Sequence, residues 1–337
     1  MRQGERQAWI DVARGIGVIL VVYGHVLGGL VAAGIFPRGP GAQWMDFGLY
    51  TFHMPLFFFL AGLNVPHSLR RGAGPFLSSK VWTLAYPYAL WSLIQGSVIL
   101  LAARDVNTPV TVADLLAIPY RPMAQFWFLY ALLICHLLAA ALPPNRIGVL
   151  AGVAVAGFLV FQFLPARSGL PLTLHHLPLY VAGISLSRAA LSWRPAGGWA
   201  ATALTWGLFA LAVATAGLWS GFDEQEVAAI PACLLGIAGV VWASKLLNGG
   251  WLAVVGRQSM TIYVLHILAA AGTRMVLLRL HVPPQPVLYL LVGTVVGVGA
   301  PMVAHVALSR AGLLPLLGLA PQRPRRRAEG VIAYEGG

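Results

Sequence analysis

Ten apolar stretches follow one another along the chain, at about 9–33, 47–66, 81–103, 125–142, 147–164, 174–187, 199–219, 227–247, 258–278 and 287–308. Each reads as a helix, and at about 1.5 Å per residue some 20 residues cross a hydrocarbon core of about 30 Å. The pattern predicts an all-α, polytopic membrane protein with about ten transmembrane helices. The stretch 174–187 stands apart, because it is too short to cross comfortably and Pro171 and Pro178 flank or interrupt it. A short, broken or re-entrant helix is expected there, enclosed by protein or lining a cavity. No internal repeat of the kind that marks many transporters is evident.

The first stretch, from Trp9 to Ala33, carries Arg14 and His25 inside an otherwise apolar run. The intervening steps of about 100° total about 1,100°, so the two side chains share one helix face within roughly 20°. They stand about 16 Å apart along the axis. Asp11 precedes Arg14 by one turn and can brace it as an i,i+3 partner. Burying an ionisable group in a bilayer is costly, so two on one stripe mark a candidate site.

Composition sharpens this picture. Of the 337 residues, 9% are charged and 58% hydrophobic, whereas soluble domains carry about 25% charged residues. The formal charge of +12 does not imply nucleic acid, because the basic residues are spread over short loops between apolar spans. Threading ten spans puts fifteen Lys and Arg residues on the side of the termini and five on the other. Both termini are therefore expected in the cytoplasm. Cys135 and Cys233 lie within apolar runs and suggest neither a disulfide framework nor a metal site. The N-terminal run is too long for a signal peptide, holds His25 and lacks a clear cleavage site. A membrane domain is expected over 1–310. A disordered cytoplasmic tail is expected over 311–337, where RPRRR at 323–327 would favour anionic lipid headgroups.

Two further histidines fall inside spans. His53 opens the second in FHMPLFFFLAG (52–62), about 9 Å below the outer surface if that helix enters near Phe47. His25 reaches a similar depth from the other direction, and consecutive helices are usually neighbours. His266 lies about 12 Å into the ninth span, which opens GRQSMTIYVLH at 256–266 and includes Tyr263. Trp127 stands at the start of the fourth span in FWFL (126–129), at a depth where tryptophan also favours the interface. His175, His176 and His305 read as structural, and Lys80 and Arg257 as topogenic residues within reach of a phosphate site.

These motifs resemble the acyltransferase-3 family of integral membrane acyltransferases. The resemblance rests on the Arg14 and His25 pair in DVARGIGVILVVYGHV, FHMPLFFFLAG, Lys80 followed by Tyr86-Pro87-Tyr88, FWFL and GRQSMTIYVLH, in that order over about 300 residues. The FHMPLFFF form is most similar to the fucose 4-O-acetylase-like branch, which includes acetylases of bacterial exopolysaccharides. Two departures stand out: FFFLAG lacks the serine many members carry before the glycine, and no hydrolase-like domain follows the spans.

The resemblance implies transfer of an acetyl (acyl) group from cytoplasmic acyl-CoA, a donor substrate rather than a resident cofactor, to a sugar hydroxyl. The acceptor would be an extracytoplasmic or lipid-linked bacterial polysaccharide at the inner membrane. Arg14, braced by Asp11, would hold a CoA phosphate. His25 would act as general base or carry the acyl group itself. His53 would orient His25 or the acceptor, and Trp127, Tyr263 and His266 would line the substrate path. A transporter of glycan intermediates is the rival from another class, and an acylase of a small lipid or antibiotic-like acceptor is a third reading. The oligomeric state is not legible.

Overall fold

The computed structural model describes residues 8–101, 110–142, 144–164, 169, 171–247 and 249–320. Among the described residues, eight helical stretches are long and apolar enough to cross a membrane: Ala8–Ala32, Pro40–Leu69, Ala73–Leu101, Ala124–Ala141, Gly198–Ser220, Val227–Leu247, Ser259–Arg279 and Pro286–Arg310. The shorter apolar helix Ile147–Gln162 and the helix Pro171–Ser192 take the fifth and sixth places in chain order. The result is an all-α polytopic membrane protein whose helices stand where the apolar pattern puts them. Leu101, Leu211, Leu218, Val295 and Val303 are exposed on its sides. Such a surface is costly in water and covered in a bilayer.

The sixth span corrects one expectation. It is not short or broken but runs 22 residues through Pro178, about 33 Å. Its polar residues are carried by protein contacts. Thr173, His176 and Ser187 are buried, and the Ser187 hydroxyl donates to the Leu63 carbonyl at 2.7 Å. Gly62 and Gly183 let the second and sixth spans meet backbone to backbone. A Cβ on either would stand 2.1 or 2.2 Å from a carbonyl oxygen of the other helix.

Two spans are irregular at positions the sequence explains. The second divides into Pro40–Tyr50, His53–Leu63 and Val65–Leu69. Pro55 has no N–H to give the Thr51 carbonyl, and the helix breaks immediately before His53. The third contains a π-helical turn at Val81–Ala85, a widening often found near functional sites.

The first span is the hub. It packs against the second, eighth, ninth and tenth spans and against the short helix Gly250–Arg257 that leads into the ninth. Two connecting segments fold inward onto the third span. The first holds the helix Val112–Leu116, opened by a capping box in which Thr111 and Asp114 bond each other's backbone N–H. The Thr111 hydroxyl and amide hold the Asp114 carboxyl below its ordinary range. Beyond that helix, the Ile118 carbonyl accepts from the Tyr88 hydroxyl. The second segment follows the tenth span. The Leu316 and Leu317 carbonyls accept from Tyr86 and Trp91, and Leu314 and Leu319 are buried. The first part of the expected tail, 311–320, is thus packed against the spans as far as Ala320, while its remainder, 321–337, lies outside the described residues.

Candidate active site

Positions 14, 18, 21, 25 and 29 of the first span follow a spacing of three and four and lie on one face. Cavities open onto both ends of that face. One, of about 190 Å³, is lined by Arg14, Val18 and Val21 with Met54, Leu132 and Tyr263. The other, of about 430 Å³, is lined by His25 and Gly29 with Gln95, Ala124, Ile267 and Arg274. Val21 and His25 are one helical turn apart, so a single turn of the first span separates the two spaces. Tyr263 and Ile267 repeat the arrangement on the ninth span.

His25 stands at this divide. Its Nδ1 bonds the Val21 carbonyl at 2.9 Å. A carbonyl oxygen only accepts, so in the neutral ring Nδ1 carries the proton and Nε2 keeps its lone pair. The His25 ring meets that of His266 edge to face, with centroids 4.9 Å apart. His266 is fully buried and fixed the same way, through Nδ1 to the Tyr263 carbonyl at 2.7 Å.

His53 also donates from Nδ1, to the Leu49 carbonyl at 2.8 Å. It lies within electrostatic reach of His25, yet its ring packs on Tyr50, 4.7 Å away, and it lines neither cavity. The ring in contact with His25 is therefore that of His266 rather than His53.

At the other end of the stripe, Asp11 and Arg14 form the i,i+3 ion pair at 3.8 Å. Asp11 is buried and Arg14 keeps 30% of its side chain exposed at the mouth of the smaller cavity. A polar cleft nearby is lined by Ser68, Arg71, Ser79 and Lys80, whose charge is felt by Arg14. Trp127 stacks on Phe58 and leans on His176, away from both cavities.

A family profile described as an acyltransferase domain matches residues 7–306. The chain belongs to the acyltransferase-3 family. It is also similar to the nodulation protein NolL of Mesorhizobium japonicum, with 26% identity over 185 residues. That match covers 53% of this chain and 47% of NolL, so the chain spans about half the length of this curated relative. No solved structure matches.

In this acyltransferase, sequence reasoning passed over a pair of buried glutamines, one of which, Gln95, lines the larger cavity. Gln95 and Gln125 exchange amide hydrogen bonds at 3.1 and 2.7 Å, and both residues are buried. The Tyr263 hydroxyl donates to the Gln125 carbonyl. The backbone turns at Ala124 with a φ of 45°, which aims Gln125 inward and is strained for a residue with a Cβ. The available signal was a lone amide inside each of two apolar runs. Gln125→Leu should lower stability by about 1–3 kcal/mol, because it orphans the buried Gln95 amide. The double variant Gln95→Leu/Gln125→Leu should recover part of that. Thermal unfolding in detergent measures both, and a double variant no more stable than the single one would refute the pairing.

Proposed function

We propose that the protein is a membrane O-acetyltransferase that draws on acyl-CoA from the side of the termini, the cytoplasm, and acetylates a glycan hydroxyl on the opposite side. The observation that carries this reading is the pair of cavities on one face of the first span, divided by a single turn at His25. Two substrates can approach that turn from opposite ends without either crossing the membrane.

A phosphate of acyl-CoA sits against Arg14, with Lys80 and Arg71 adding positive charge beside it. The pantetheine arm runs along Val18 and Val21 and brings the thioester to His25. The acceptor hydroxyl arrives through the larger cavity. Nε2 of His25 removes the hydroxyl proton while the oxygen bonds to the thioester carbonyl carbon. The carbon–sulfur bond then breaks, and the leaving thiolate takes the proton from the imidazolium. His266 holds the His25 ring from the side, and the Val21 carbonyl fixes its tautomer.

Kinetics with Arg14 variants test the donor half. Arg14→Ala should raise the KM for acetyl-CoA about ten- to hundredfold, the worth of one charge-assisted hydrogen bond of about 1.5–3 kcal/mol. Arg14→Lys should restore part of it, keeping the charge without the planar fork. An unchanged KM in Arg14→Ala removes the phosphate role from this residue.

A further inference from the structure

The larger cavity contains a cation that the transfer chemistry leaves unused. Arg274 of the ninth span donates from Nη1 to the Gly29 carbonyl at 3.0 Å. Among the described residues it has no carboxylate partner. A guanidinium offers five N–H donors, so that bond uses a small part of its capacity. Holding an unneutralised arginine on a membrane span is expensive, and such residues commonly mark a ligand path.

Its position is set by the first span. Gly29 lies one turn beyond His25, about 6 Å further along the helix axis. Gly29 and Gly272 both face this space, and a Cβ built at either would meet no atom within 4 Å. The guanidinium and the imidazole therefore border one open space. The Gln95 side chain borders the same space, while most of the remaining wall is apolar, including Leu268, Ile99 and Met275. Among the described residues that line the cavity, Arg274 is the one arginine or lysine.

We infer that this cavity selects a saccharide bearing an anionic group, a carboxylate or a phosphate, placed about one sugar ring away from the hydroxyl presented to His25. The inference rests on the acyl-transfer reading of His25. Arg274 is then a specificity-determining residue: its planar fork pairs the anion and thereby fixes which hydroxyl reaches Nε2. A purely structural strap to Gly29 needs only one N–H, which Lys or Gln at 274 also supplies.

The test uses full-length protein in nanodiscs with three probes: methyl glucoside, methyl glucuronoside and glucose 1-phosphate. Binding is measured without donor, and acetylation is measured with acetyl-CoA. Wild-type protein should bind one of the charged probes about ten- to hundredfold more tightly than the neutral one. Preference for the glucuronoside identifies a carboxylate, and preference for the sugar phosphate identifies a phosphate. In R274Q the preference should vanish, and R274K should keep part of it. Equal binding of all three probes by wild-type protein, or a preference that survives in R274Q, overturns the anion site. Charged-probe binding that depends on Arg274, with no probe acetylated, instead supports the anion site and counts against the acyl-transfer reading.

Discussion

His25→Ala is expected to lower acetyl transfer by about 10²–10⁴-fold, the usual cost of losing a general base, with protein abundance and acetyl-CoA binding intact. On the proposed mechanism the loss should fall on kcat, since the imidazole would act on the acceptor hydroxyl rather than on the donor's phosphates. His25→Gln should not rescue it, because an amide keeps a hydrogen bond to Val21 but has no basic nitrogen. His266→Ala removes a neighbour whose ring touches His25 without removing the base, so a smaller fall is expected. Near-normal turnover in His25→Ala would place the chemistry elsewhere.

The second large effect is structural. Gly256→Leu should abolish folded, monodisperse protein. A Cβ at Gly256 would stand 1.7 Å from the Asp11 carbonyl oxygen and 2.9 Å from the Gly15 nitrogen. One at Gly15 would lie 2.1 Å from the Leu252 carbonyl oxygen. Overpacked side chains usually cost about 1–3 kcal/mol because they can rotate aside. Here the obstacle is backbone on both sides, so the helix Gly250–Arg257 must leave the first span. That displacement would carry away the start of the ninth span, which supplies Tyr263 and His266. Gly299→Ala is the matched control, since its Cβ meets no atom within 4 Å. It should be neutral or slightly stabilising. Size-exclusion profiles and melting curves in detergent decide this, and a Gly256→Leu protein that behaves like wild type would contradict the backbone contact.

The candidate site was partly written in the sequence, for a definable reason. Arg14 and His25 are related by helix periodicity alone, so a single apolar run is enough to put them on one face. The pairing of His25 with His266 is different in kind. It depends on where the ninth span packs against the first, which the close approach of Gly15 and Gly256 controls and which no local pattern encodes. His53 seemed the nearer partner because second and first spans adjoin, yet the break at Pro55 turns its ring onto Tyr50. The Gln95–Gln125 pair was hidden for a similar reason, because it depends on how the segment 110–124 folds back onto the third span, which no periodicity in either apolar run encodes. The sixth span was misjudged because Pro171 and Pro178 read as its limits and breaks, whereas the helix begins at Pro171 and runs on through Pro178.

The most direct measurement places donor and acceptor on different sides of the membrane. The protein is reconstituted in one orientation in sealed vesicles, with acetyl-CoA on the Arg14 side and the saccharide on the side of the larger cavity. Acetylated saccharide should appear on its own side, coenzyme A should accumulate on the other, and His25→Ala should yield neither. Transfer only when both substrates share one compartment would contradict a path that meets at His25 from opposite ends.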